Sequence, residues 1–336
     1  MRIARYTQDG VERAGVVSEG RVHPFEAGME VGDVVNLGLD AALALGARAV
    51  AGQDSVVLSG VRLLAPIRPA SLRDFVAFAE HVDGVRRTVD GTSGIPEAWY
   101  DAPTFYFSNP HTIVGPDDDV PFPAHSTARD FELEVAVVLG GGELGGGGSN
   151  LTVGQAGDAV FGYTILNDWS ARDLQRREMT VNLGPAKGKD FASTLGPWIV
   201  TADELEPYRD ADGFLDLWCT AHVNGVEVGH DLLSNMGWTF ETMIAYASRD
   251  SLVVPGDVLG SGTVGNGGCL AELWGRAGRP NPPSLRPGDV VTLTVQGIGS
   301  VSNRVAAGTT AAPLPAARRR DPARARAGAT TTGVPA

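Results

Sequence analysis

Phe131-Glu-Leu-Glu-Val-Ala-Val-Val-Leu139 is the stretch on which the reading of this chain turns. Side chains alternate across a β-strand, so Phe131, Leu133, Val135 and Val137 share one face. Glu132 and Glu134 share the other, about 7 Å apart, and are followed there by Ala136 and Val138. Two aligned carboxylates repel each other unless a cation lies between them. A half-exposed strand with a solvated glutamate face accounts for these nine residues equally well. The distinction rests on what the rest of the chain brings near them.

Two further segments carry acids of the same kind. In Phe161-Gly-Tyr-Thr-Ile-Leu-Asn-Asp-Trp-Ser-Ala-Arg-Asp-Leu-Gln175 an apolar strand ends and Asn167-Asp168 opens a helix. In Ser71-Leu-Arg-Asp-Phe-Val-Ala-Phe-Ala-Glu-His81, Asp74 stands ahead of a helical stretch. Each aspartate can be read as a plain helix N-cap. Together, acids on three segments permit an all-oxygen metal site, which suits Mg²⁺, Ca²⁺ or Mn²⁺ rather than zinc.

His81 is the histidine best placed for chemistry. It precedes Asp83-Gly-Val-Arg-Arg-Thr-Val-Asp-Gly-Thr-Ser-Gly94, which reads as a mobile lid. The chain has 25 Arg and two Lys, Lys187 and Lys189 in Gly-Pro-Ala-Lys-Gly-Lys-Asp, and a lysine is a compact point charge that arginine does not replace. Val258-Leu-Gly-Ser-Gly-Thr-Val-Gly-Asn-Gly-Gly-Cys-Leu-Ala-Glu-Leu273 is glycine-rich but lacks the phosphate-loop Gly-Lys-Ser/Thr, and reads as a hairpin loop. Glu272 stands there in an apolar setting that calls for a partner.

The whole chain has 336 residues, which suggests about two domains. The 44 glycines argue for tight turns between strands rather than long helical bundles. Strands are expected at Met1–Tyr6, Glu12–Ser18, Arg21–Pro24, Phe131–Leu139, Val160–Leu166, Trp198–Thr201, Leu215–Val223 and Val290–Val295. Helices are expected at Leu39–Ala51, Ser170–Glu178 and Leu233–Ala247. Two prolines in Leu63-Leu-Ala-Pro-Ile-Arg-Pro69 mark a junction, giving a small N-terminal domain (1–66), a catalytic domain (67–312) and a disordered Arg/Ala/Pro-rich tail (313–336). The net charge of −13 argues against a nucleic-acid partner. The tail, with five Arg and one Asp, departs from that at +4. No apolar run is long enough to span a bilayer and no signal peptide is visible, so a cytoplasmic protein with no membrane partner is expected. Cys219 and Cys269 are too few for a disulfide scaffold or a cysteine-based zinc site.

Five motifs together resemble the fumarylacetoacetate hydrolase family over about residues 65–300. They are Asp-Phe-x5-His (74–81), Phe-Glu-Leu-Glu-Val (131–135), Asn-Asp-Trp-Ser-Ala-Arg-Asp-Leu-Gln (167–175), Leu-Gly-Pro-Ala-Lys-Gly-Lys-Asp-Phe (183–191) and Gly-Ser-Gly-Thr-Val (260–264). The resemblance implies a mainly β (α+β) fold, the mixed β-sandwich roll of the family's C-terminal domain behind a small N-terminal domain, usually as a homodimer. It places metal carboxylates at Asp74, Glu132, Glu134 and Asp168, and a divalent cation among them, Mg²⁺ with Mn²⁺ or Ca²⁺ as alternatives. It places the catalytic groups at His81, its orienting Glu272, and Lys189. Arg172, Gln175 and Thr263 match substrate contacts.

Two positions depart from the family pattern. Gly84 stands where the smaller members carry a glutamate three residues after the histidine. Val76 stands where fumarylacetoacetase has a tyrosine, and Tyr106 is the candidate replacement. The implied activity is hydrolysis of a C–C bond in a small 1,3-dicarbonyl acid by histidine-activated water. The alternatives are a 2-oxo acid decarboxylase or an isomerase or hydratase on the same metal site, and a non-catalytic binding protein of the same fold.

Overall fold

The computed structural model describes residues 1–89, 91–142 and 145–321. Among these, sheets dominate. The largest has twelve strands and runs from the N-terminal hairpins into the centre of the molecule. Strand Arg2–Gln8 pairs on one side with Val11–Ser18 and on the other with Ser193–Thr201, with Arg2 opposite Val200. Beyond lie Val160–Asp168, Leu133–Leu139, Val258–Gly260, Leu72–Phe75 and Phe105–Ser108. The N-terminal strands are therefore not a separate sheet; the expected junction at 63–69 is crossed by a shared ladder. A second sheet of five strands, including Trp218–Val223, Val290–Val295 and Gly299–Ala307, packs against the first.

The central strand Leu133–Leu139 is buried on both faces. Leu133, Val135 and Val137 join the core under the five-stranded sheet, whereas Ala136 and Val138 join the core under the N-terminal domain. The expectation of a half-exposed strand is thereby overturned, and Glu132 and Glu134 are buried with the rest. Two other local readings change. Asp168 ends strand Val160–Asp168 and does not cap the next helix, which starts at Arg172 with Ala171 at its N-cap. Asp74 lies inside strand Leu72–Phe75. The helix expected over Leu233–Ala247 is a short 3₁₀ turn, Leu233–Asn235, and a helix Phe240–Ala247 capped by Thr239. The glycine-rich run is no hairpin. After strand Val258–Gly260 it continues beside the glutamate strand, with Ser261 N bonded to Val135 O and Val264 N to Leu133 O. It ends on helix Leu270–Ala277.

Residues 313–321 are exposed and carry neither helix nor strand; the remainder of the expected tail lies outside the described residues. Among the described residues no helix is long and apolar enough to cross a membrane.

Candidate active site

Four strands of the large sheet bring their side chains to one point. Asp74 comes from strand Leu72–Phe75, Tyr106 from its partner Phe105–Ser108 in direct register, Glu134 from Leu133–Leu139, and Asp168 from the end of Val160–Asp168. Glu132 precedes the central strand and is fixed through its backbone, accepting from Asp168 N and donating to Asn167 Oδ1. Carboxylate oxygens of Asp74, Glu132 and Asp168 lie within 4.8 Å of one another, all buried. Glu134 is set behind this trio, against Asp74, and takes a hydrogen bond from Gly262 N at 3.1 Å. A Cβ at Gly260 would lie 2.7 Å from Glu134 Oε2 and 2.9 Å from Asp74 Oδ1, so only glycine admits this approach.

Two cations meet these acids. Lys189 Nζ donates to Glu132 Oε2 and, at 2.6 Å, to Asp168 Oδ2. Arg172 donates to Glu132 Oε1 at 2.7 Å and to Asp130 Oδ2 at 2.8 Å, and its third arm reaches Gln175 Oε1. The two lysines of the sequence are thus unlike. Lys189 is buried in the site, while Lys187 is exposed and paired with Asp190. Their loop is held to helix Arg172–Met179 by Glu178, whose carboxylate accepts from the backbone N–H of Ala186, Lys187 and Gly188.

Charge does not balance here. Asp74, Asp130, Glu132, Glu134 and Asp168 are five carboxylates facing Arg172 and Lys189. Burial would raise Glu132, but Arg172 and Lys189 outweigh it and hold its carboxyl well below the ordinary range. Burial raises Asp74 to about 8, with Asp168 adding to it, and pushes Glu134 and Asp168 upward too. Among the described residues, the buried Asp74 Oδ1 and Asp168 Oδ1 have no hydrogen-bond partner. A crowded, under-neutralised set of hard oxygen donors with unsatisfied lone pairs fits a divalent cation.

His81, on helix Ala79–Val89, flanks the trio with Nε2 3.8 Å from Glu132 Oε1. Burial drives its pKa down to about 3, so the imidazole is neutral. Glu272 Oε2 stands 4.0 Å from His81 Nδ1, too far for a hydrogen bond. Cys269 Sγ is nearer, at 3.7 Å. Glu272 itself is raised to about 7 by burial against the pull of Arg276, which lies 2.6 Å from its Oε1. Gly84 explains how this glutamate gets in. A Cβ there would sit 2.4 Å from Glu272 Cγ, so the carboxylate from helix Leu270–Ala277 occupies the space a side chain at 84 would need.

The remaining expected substrate contacts are present but already partnered. Tyr106 Oη lies 2.9 Å from Asp74 Oδ2 and also meets Asp168 Oδ2, and its one proton can be donated to either. Thr263 Oγ1 lies 3.5 Å from Glu134 Oε1. Gln175 accepts from Arg172, which itself holds Asp130 and Glu132. Sequence reasoning missed Asp130 and Cys269. Asp130 accepts from Leu270 N and Ala271 N at the start of the helix bearing Glu272, and from Arg172, and so ties three segments together. Its only signal was an acid placed directly ahead of the Phe-Glu-Leu-Glu run. Cys269, the N-cap of that helix, is a thiol where an oxygen side chain is the usual choice.

Two packed sheets whose strands present carboxylates beside a buried imidazole set the frame for the comparison with known proteins. The model of the fumarylacetoacetate (FAA) hydrolase C-terminal family matches residues 71–306, and the chain belongs to that family, whose members are hydrolases and isomerases. Residues 1–66 match the family described as Rv2993c-like, N-terminal. A fumarylacetoacetase of Arabidopsis thaliana is 29% identical over 287 residues, 70% of this chain and 67% of that protein. The chain spans between half and about two thirds of the length of the fumarylacetoacetases it matches. Among solved structures, 5-carboxymethyl-2-hydroxymuconate delta-isomerase from Mycobacterium smegmatis is 25% identical with a TM-score of 0.65, covering 91% of this chain and 100% of that one. Maleylpyruvate hydrolase from Sphingobium sp. SYK-6, solved with manganese(II) and pyruvate, shares the fold at 21% identity and a TM-score of 0.68, covering 92% and 100%.

Proposed function

We propose that this chain is a divalent-cation-dependent hydrolase that cleaves a C–C bond in a 1,3-dicarbonyl acid of the fumarylacetoacetate or acylpyruvate type. The observation that carries the reading is the buried Asp74–Glu132–Asp168 trio, short of positive charge, beside the neutral ring of His81. Asp74, Glu132 and Asp168 would hold the cation, with Glu134 behind them, and Mg²⁺ is the assigned ion ahead of Mn²⁺ and Ca²⁺. Bound there, it supplies Lewis-acid polarisation of the substrate's oxygens.

The chain's own groups do the rest. His81, neutral through burial, accepts a proton from water, and the hydroxide so formed adds to the carbonyl. Lys189 Nζ donates to the developing oxyanion, a preorganised contact worth about 10²–10³ in rate. The C–C bond then breaks, and its electron pair leaves as an enolate that takes up the proton His81 removed from water. Arg172 acts through Glu132 and Asp130 as a positioning residue. Cys269 Sγ contacts His81 Nδ1, with Glu272 beyond hydrogen-bond reach of the same nitrogen.

Turnover of acylpyruvates, fumarylacetoacetate and oxaloacetate with Mg²⁺ or Mn²⁺ tests this. The expected result is cation-dependent release of two carboxylic acids, lost in His81→Ala while cation binding persists. Release of CO₂, or a product of unchanged mass, would instead assign decarboxylation or isomerisation. The homodimer is proposed from family resemblance, and light scattering of the intact protein checks it.

A further inference from the structure

His81 has a second side. A cavity of about 310 Å³ opens from it between helix Ala79–Val89 and the segment 96–104. Its walls include Val76, Val82, Val85, Pro96 and Trp99. Resting on the hydrolase reading above, we propose that this cavity is the subsite for the acyl arm of the substrate and that it takes an apolar arm, an alkyl chain or a phenyl ring, in preference to one ending in a carboxylate.

Three observations carry this. First, the cavity meets the catalytic centre at His81, which is part of its lining. An arm attached to the carbonyl under attack would extend into it. Second, apart from His81 its polar lining residues are Thr104 and Arg86. Arg86 Nη1 is directed to Gly94 O at 2.6 Å. A carboxylate seated among Val76, Val82, Val85 and Trp99 would lose hydration that these apolar side chains do not return. Third, the aromatic wall is preset. Trp99 Nε1 donates to Val76 O at 2.6 Å, and the far edge of the ring lies where a Cβ on Gly237 would be, 2.4 Å from Cη2. A ring held this way presents apolar surface at little ordering cost. The size is ample, since a cavity of about 150 Å³ already accepts benzene.

The test is a panel of 2,4-dioxo acids with acetyl, butyryl, hexanoyl, benzoyl and succinyl arms, assayed with Mg²⁺. The expected kcat/KM rises by up to about fourfold per methylene, reaching at least tenfold for hexanoyl or benzoyl over acetyl. Val85→Phe, which fills the cavity, brings that ratio close to one. Val85→Asp reverses the order of apolar arms. Calorimetric titration of the same acids into Mg²⁺-loaded His81→Asn reads binding without turnover. Affinity that follows arm apolarity there, with no hydrolysis by the unmodified protein, overturns the hydrolase reading and leaves the subsite standing. Affinity that ignores the arm, or favours succinyl, overturns the subsite whether or not the acids are cleaved.

Discussion

Glu12 and Glu132 each face two cations, and they could hardly differ more in consequence. Glu12, on the rim of the N-terminal domain with its side chain 48% exposed, meets Arg5 at 2.9 Å and Arg68 at 2.8 Å. Glu132, at 4%, meets Arg172 at 2.7 Å and also Lys189. Both carboxyls are pulled below the ordinary range, Glu12 chiefly by its hydrogen bond from Arg5. In water the first set is screened and mobile, and such pairs contribute about 0.2–1 kcal/mol. In the interior the second cannot be dissolved into solvent, and removing one partner costs about 3–5 kcal/mol. The deeper difference is in the neighbours. Glu12 meets two arginines at the surface, whereas Glu132 shares Arg172 with Asp130 and Lys189 with Asp168, with Asp74 and Glu134 close by. That surplus of acid marks a site rather than a strut.

The largest expected effect comes from the centre. Glu132→Ala removes a proposed cation ligand and leaves Arg172 and Lys189 under-partnered. We expect cation binding by calorimetry to vanish, turnover to fall below detection, and stability to drop by about 3–5 kcal/mol in denaturant titration. Retained tight cation binding would remove Glu132 from the ligand set. His81→Ala comes next. Turnover falls by about 10²–10⁴, with cation affinity within a few-fold.

Gly84→Ala sharpens the comparison from a third place, where helix Ala79–Val89 touches Glu272. Its new methyl displaces Glu272, and a loss of about 1–3 kcal/mol with reduced kcat is expected. Unchanged kcat would show that Glu272 does not matter for His81.

The metal-free protein carries a pH signature. Burial raises the folded-state pKa of Asp74 from 3.8 to about 8. Between those values the folded state binds more protons than the unfolded one, so stability falls as pH rises through that window. Chelator-treated protein should therefore melt lower at pH 8 than at pH 5, and saturating Mg²⁺ should flatten the slope. A flat profile without metal would mean that the acids are neutralised by the protein alone. The smallest effect belongs to the surface. Glu12→Ala should cost no more than about 1 kcal/mol and leave turnover unchanged.

Much of this was legible in the chain. Strand Val290–Val295 and helix Leu39–Ala51 fall on their expected bounds, because each carries its own periodicity. Asp74, Glu132, Asp168, Lys189 and His81, each singled out in the sequence, lie together in the structure. Asp130 and Cys269 were not legible. Their roles depend on contacts 140 and 188 residues away in sequence, with Leu270 and His81. Nor could local pattern show that the N-terminal hairpins extend the central sheet, since a strand's period does not name its neighbour.

Alternation by itself determined that Glu132 and Glu134 lie on one side of a strand, and residue chemistry determined that hard acids and one imidazole were available. Only the tertiary structure decided that both faces of that strand are covered, that two cations answer five carboxylates, and that an apolar cavity opens beside His81. The physical reason is that periodicity is a property of neighbours along the chain, whereas burial, which gives charge its cost and an imidazole its neutrality, comes from segments that sequence alone leaves far apart.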